Sequence, residues 1–212
     1  MNFEKNTLST NTNKQLAYTH IKQGSDRICF MFCGAGYTYD KPLLYYATKV
    51  MLGKGMDVVH VHYSYREAEF DLPFDEFADL MVKEVELVVE KVEGDYREVI
   101  FLGKSIGTIP IISHYLKSDR YSNAKFILLT PLLKKDVLFE QLTECNNAIL
   151  TVIGTDDVHC VQNRVTALNE KQNMTIMEIH QANHSLDIGP DDTSASIRAM
   201  GDIMEAIGEF VG

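Results

Sequence analysis

The sequence predicts one three-layer α/β domain, a mainly parallel sheet of about six to eight strands with helices on both faces. Three observations lead there. Short aliphatic runs alternate with amphipathic stretches along the chain, strand then helix, six times over. Each run is continuously apolar rather than alternating, as in strands covered on both faces. The 212 residues, 45% of them hydrophobic, suffice for one sizeable core, and with only 5 prolines no linker marks a boundary, so 1–212 reads as a single domain.

The first 26 residues are polar. Within them, 16–21 reads as a strand paired with 7–10 through an Asn-rich turn at Asn11 and Asn13, a candidate hairpin. The repeating unit begins with strand 28–32, a glycine turn at Gly34 and Gly36, and helix 42–54, which sets Leu43, Leu44, Ala47, Val50 and Met51 on one side. Strand 57–62 follows, then a loop and helix 74–92, where Phe77, Leu80, Met81, Val85, Val88 and Val92 keep three- and four-residue spacing. Strand 99–102 leads into a helix that opens near Ser105 and continues as the apolar stretch 108–116. The last three units are strand 126–129 with helix 137–143, strand 149–153 with helix 161–170, and strand 175–179 with helix 194–210. In such a sheet, functional side chains lie in the loops beyond the carboxyl ends of the strands.

Composition narrows the function. With 20 Lys and Arg against 30 Asp and Glu, the formal charge of −10 disfavours nucleic acid and anionic membrane as partners. No stretch approaches the roughly 20 apolar residues of a membrane span, and nothing marks the chain for export, so a cytoplasmic location is expected. Cys29, Cys33, Cys145 and Cys160 form no CxxC pair and read as reduced thiols. Cys29 and Cys33 with His60 and His62 suggest a metal site only superficially, because strand residues four apart stand about 13 Å from each other. No metal and no cofactor are expected, and a monomer and a homodimer are equally compatible with the sequence.

The chemistry concentrates at Gly103-Lys104-Ser105-Ile106-Gly107, which lies between strand 99–102 and an apolar helix. This is G-x-S-x-G in the context it requires: small residues two before and two after the serine let neighbouring backbones approach and leave Oγ exposed on a sharp turn. The amide of Ile106 would then face a developing oxyanion. Two other readings compete. A phosphate-binding loop would need glycine where Glu98 stands, and a serine at this place could simply cap a helix. A serine nucleophile needs a base and a carboxylate to orient it. Strand 149–153 ends in Gly154-Thr155-Asp156-Asp157, and strand 175–179 is followed by Gln181-Ala182-Asn183-His184-Ser185-Leu186.

Ser, Asp and His in that order, each past a strand end, resemble the α/β-hydrolase family from about residue 27 to the C-terminus. The stretch Asn183-His184-Ser185-Leu186 is similar to the histidine loop of its small, lidless, dienelactone-hydrolase-like members. The resemblance implies an α/β-hydrolase fold and a catalytic triad of Ser105, His184 and Asp157, because the family's acid commonly stands three residues after the loop glycine. Asp156 becomes a turn residue and His180 the fallback base. It also implies a second oxyanion donor from the turn Cys33-Gly34-Ala35-Gly36-Tyr37, where cysteine replaces the family's histidine; the amide of Ala35 is the candidate, with Gly36 as alternate. His159 follows the acid loop closely enough to line the pocket.

For the substrate, Tyr37, Tyr63, Tyr65 and Lys104 are the candidate contacts, with Arg66 in the same loop as Tyr65. Lys104 would reach an anionic group or, in the plainer case, sit solvated or paired at the surface. Only residues 131–136 separate strand and helix where many relatives insert a helical lid, so a shallow, open site is expected. The implied activity is hydrolysis of a small carboxylic ester or thioester through an acyl-enzyme. A silent binding module on the same fold and an acyltransferase are the alternatives.

Overall fold

The computed structural model describes residues 1–10, 14–94, 96–189 and 192–212. Eight strands form one sheet: β1 (Asn2–Ser9), β2 (Gln15–Lys22), β3 (Arg27–Phe32), β4 (Asp57–His62), β5 (Glu98–Lys104), β6 (Lys125–Leu129), β7 (Ile149–Gly154) and β8 (Met174–Ile179). Their order is β1-β2-β4-β3-β5-β6-β7-β8. The six from β4 to β8 in that order pair in parallel, and they are the six aliphatic runs of the sequence. β2 joins antiparallel to β4 and to β1, completing the sheet.

The helices are α1 (Pro42–Gly53), α2 (Glu67–Phe70), α3 (Phe74–Val92), α4 (Thr108–Ser113), α5 (Asp136–Glu144), α6 (Gln162–Asn169) and α7 (Thr193–Val211). α1 packs against α7 on one face, while α3, α4, α5 and α6 contact one another in series on the other. Central strands therefore lose solvent on both sides: Ile28 to Phe32 are each fully buried. Phe101 on β5 anchors one layer, its ring 5.7 Å from Phe30, 5.6 Å from Phe126 and 4.3 Å from Tyr115. Burying each such ring contributes about 2 to 3 kcal/mol.

Three elements depart from the sequence reading. β1 starts at Asn2 rather than residue 7, with Ser9 opposite Gln15. It is an edge strand with most side chains exposed; Glu4, half-buried, pairs with Lys22 at 2.9 Å. An apolar-run criterion cannot find a strand that buries almost nothing. The expected turn through Asn11 and Asn13 lies outside the described residues. The helix after Ser105 is shorter than 108–116: a turn of 3-10 helix spans Ser105–Gly107, and α4 ends at Ser113. There Tyr115 turns inward to stack on Phe101. Finally α2 interrupts the 63–73 loop, started by the amide of Arg66 donating to the Glu69 carboxylate at 2.6 Å. Four residues carry no periodicity to detect. Among the described residues no helix is long and apolar enough to cross a membrane.

Candidate active site

β5 runs straight into Ser105, whose φ of +54° lies in the left-handed region disfavoured for a side-chain-bearing residue. Such strain persists only where the surroundings enforce it. Here two glycines do. A Cβ on Gly107 would stand 2.7 Å from the carbonyl carbon of Phe32, and one on Gly103 would stand 2.7 Å from that of Gly107. Strand β3, strand β5 and the first helical turn thus meet with no room for a methyl, and the serine is lifted out of the crossing. The hydroxyl of Thr108 donates to the Ser105 carbonyl at 2.7 Å and holds the turn.

The acid and histidine loops lock together in a similar way. A Cβ on Gly154 would come within 2.6 Å of the Ala182 carbonyl carbon, and the amide of Asp156 donates to that carbonyl at 3.0 Å. The histidine turn carries two left-handed residues, Gln181 and Leu186, and is closed by Asn183, whose Oδ1 accepts from the amide of Ser185 at 2.7 Å. His184 then projects between the two other groups. Its Nε2 lies 2.8 Å from Ser105 Oγ and its Nδ1 lies 2.8 Å from Asp157 Oδ2.

Asp157 is 4% exposed. Burial alone would raise its carboxyl, but the His184 ring and the His159 amide, which donates to Oδ1 at 2.8 Å, outweigh that and hold it below the usual carboxylate range. An ionised carboxylate only accepts, so Nδ1 carries the imidazole proton and Nε2 is free to accept from the serine hydroxyl. Asp156 is exposed, its carboxylate accepting from the Thr155 hydroxyl at 3.4 Å, and His180 is exposed too. The ring of His159 meets that of His184 edge-on at 5.2 Å.

The turn after β3 lies over the serine, because a Cβ on Gly34 would stand 3.5 Å from Ser105 Cβ. Among the described residues the amides of Ala35 and Gly36 donate to no protein backbone group, and Ala35 and Gly36 both reach solvent. Gly34, Ala35, Gly36, Tyr37, Lys104, Ser105, His184 and Ser185 enclose a cleft of about 280 Å³.

Two expected substrate contacts, Tyr63 and Tyr65, need correction, and so does the expected surface setting of Lys104. Tyr63 is 9% exposed and donates its hydroxyl to the Cys33 carbonyl, bracing the 33–37 turn from below rather than lining the cleft. Tyr65 packs its ring 5.1 Å from Phe77 and 6.1 Å from Phe70, under the Lys14 ammonium, and is also absent from the cleft wall. Lys104 is neither solvated nor paired at the surface. It is 1% exposed and donates to Thr130 Oγ1 at 2.7 Å and to the His184 carbonyl at 2.8 Å. Tyr37 and Lys104 do line the cleft.

A family model described as an alpha/beta hydrolase domain matches residues 26–212. No curated protein matches the sequence. An esterase of Pyrococcus furiosus superposes with a TM-score of 0.73 at 13% identity, over 99% of this chain and 91% of that one. An alpha-beta serine hydrolase homologue from Coxiella burnetii gives 0.74 at 14%, over 100% and 99%. A serine hydrolase from Xanthomonas campestris described as lacking a lid gives 0.68 at 15%, over 100% and 94%. At these identities the likeness is one of fold.

Proposed function

The chain belongs to the α/β-hydrolase family, and on that premise we propose that it is a serine hydrolase cleaving small carboxylic esters or thioesters. The observation that carries the reading is the unbroken chain Asp157 Oδ2 to His184 Nδ1 and His184 Nε2 to Ser105 Oγ, 2.8 Å at each link. Ser105 Oγ attacks the acyl carbonyl as Nε2 takes its proton. The imidazolium so formed is stabilised by Asp157 and returns the proton to the leaving oxygen or sulfur. Water, activated by the same nitrogen, then releases the acid. The amides of Ile106 and Ala35, with Gly36 as alternate, donate to the tetrahedral oxyanion in this scheme.

The short 131–136 connection and the small cleft support a short acyl group, with Tyr37 as one wall. The test is labelling by a fluorophosphonate, combined with turnover of p-nitrophenyl acetate and an acetyl thioester. Labelling confined to Ser105 with turnover is expected. Wild-type protein that neither labels nor turns over these esters would instead mark a binding module.

A further inference from the structure

Ser105 and His184 are tied together twice. The first tie is the bond from side chain to side chain. The second runs through the backbone: Lys104, the residue before the serine, donates its ammonium to the carbonyl oxygen of His184 at 2.8 Å. The same nitrogen donates to Thr130 Oγ1 at 2.7 Å and lies 5.0 Å from the centre of the Tyr37 ring. Thr130 is itself fixed, fully buried with a φ of +48°, its amide donating to Val152 on β7 at 2.7 Å. Lys104 therefore bridges the ends of β5 and β6 and the loop after β8, three separate pieces of chain that converge on the cleft.

A lysine that is 1% exposed is costly to hold as a cation, so its retention here calls for a compensating role. Burial pulls Lys104 down to about 8, against the opposing pull of the Asp157 and Asp187 carboxylates. The histidine turn holds two left-handed residues, is closed within itself through Asn183 and is tied to the acid loop by the amides of Asp156 and Gln181. Lys104 adds a backbone tie to β5.

Resting on the serine-hydrolase reading above, we propose that Lys104 is a positioning residue: by holding the His184 carbonyl from the nucleophile's own strand, it sets the imidazole at proton-transfer distance from Ser105. It lines the cleft as well, but its ammonium is committed to two protein acceptors. A misplacement of about 1 Å at a reacting centre costs on the order of 10²-fold in rate.

The experiment is Lys104→Met, which keeps the bulk and removes both donated bonds. Its kcat per active site on p-nitrophenyl acetate should fall about 10²-fold, with KM changed less than about threefold, where active sites are counted by fluorophosphonate end-point titration. The rate of fluorophosphonate labelling should fall in parallel. A role confined to fold stability would lower the titrated fraction and leave kcat per site alone, and a substrate contact would raise KM instead; either result overturns the proposal. Should Lys104→Met not fold, Thr130→Val removes the second anchor with the ammonium retained. A kcat loss that Thr130→Ser restores is expected, and wild-type kcat in Thr130→Val overturns the proposal. Wild-type protein that neither labels nor turns over defeats the hydrolase reading and this inference together. Labelling and turnover equal in wild type and Lys104→Met defeat the inference alone.

Discussion

His184 Nδ1 stands 2.8 Å from the carboxylate of the buried Asp157, while the neighbouring Asp156 is exposed. One residue of register in the loop after β7 separates an orienting acid from a turn residue. Asp157→Asn should lower kcat by on the order of 10⁴, because an amide donating to Nδ1 imposes the wrong tautomer. Asp156→Asn should stay within about threefold of wild type, since the amide that ties Asp156 to Ala182 remains. Steady-state kinetics on one soluble ester decides it. An inactive Asp156 variant beside an active Asp157 variant would reverse the assignment.

Ser105→Ala removes the covalent step and should cost several orders of magnitude in kcat. The chain should still fold, because the left-handed turn is enforced by Gly103 and Gly107 and not by the hydroxyl. Calorimetry should place its stability within about 1 kcal/mol of wild type. Substantial residual turnover by the Ser105→Ala variant, purified free of contaminating esterase, would remove the serine from the mechanism.

The glycines around the serine differ sharply in what they tolerate. At Gly107 an added methyl meets the Phe32 backbone, which β3 holds in the centre of the sheet, whereas at Gly36 nothing lies within 4 Å. Gly107→Ala should therefore destabilise by about 3 kcal/mol or more, roughly 6 to 12 °C in Tm for a chain of this size. Gly36→Ala should shift Tm by less than about 2 °C. Equal melting temperatures for the two variants would mean that the strand crossing is looser than described.

Much of this is legible in the sequence because the physics is local. A strand covered on both faces announces itself as a compact aliphatic run, as β3 and β6 do, whereas β8 at the sheet edge keeps Thr175 and Glu178 exposed and is marked more by its place in the strand-helix alternation. The order Ser, Asp, His and their places past strand ends also follow from the sequence. What stays hidden depends on distant chain. β1 gains its identity only by pairing with β2, since its own side chains bury little. Tyr63 and Tyr65 lie in a loop whose direction is set by α2 and by packing on Phe77, which no spacing rule reveals. Lys104 reads as a surface charge in the sequence because its two acceptors, Thr130 and the carbonyl of His184, are 26 and 80 residues away.

His60 gives the stability an acid limb. Its ring is 8% exposed and stacked 4.0 Å from Tyr39, and its Nε2 lies 2.8 Å from Thr48 Oγ1. Burial, with the neighbouring His62 adding to it, pushes it down to about 3. The unfolded chain takes up a proton near pH 6.5 that the folded chain refuses. Stability is therefore full above that pH and is lost as pH falls toward 3, by up to about 1.4 kcal/mol per pH unit. His60→Phe keeps the stack on Tyr39 and leaves Thr48 donating to the Leu44 carbonyl at 2.8 Å. Urea unfolding between pH 6 and 4 should show a shallower loss of stability in this variant, by up to one proton. Parallel slopes in the two proteins would contradict it.

Acyl-chain preference follows from what surrounds the cleft. The connection from β6 to α5 is too short for an inserted helix, and the 63–73 segment turns away instead of covering the serine, with Phe70 5.3 Å from Phe77. The space at Ser105 is about 280 Å³ and open. A short acyl group can be oriented there, but further methylenes stay in water, and each one forgoes about 0.8 kcal/mol of burial. Four of them forgo roughly 3 kcal/mol, about two-hundredfold in affinity relative to a site that buries them. For p-nitrophenyl esters, kcat/KM should therefore stop rising at about butyryl, with no activation at an oil-water interface. A different outcome has a defined place to arise: a groove of about 670 Å³ between α1 and α7, lined by Tyr46, Ile197, Met200 and Met204. If kcat/KM climbs steadily from acetyl to dodecanoyl, the open-cleft account is wrong. Ile197→Glu should then abolish the climb while leaving acetate turnover unchanged, because Ile197 lines that groove and not the cleft at Ser105.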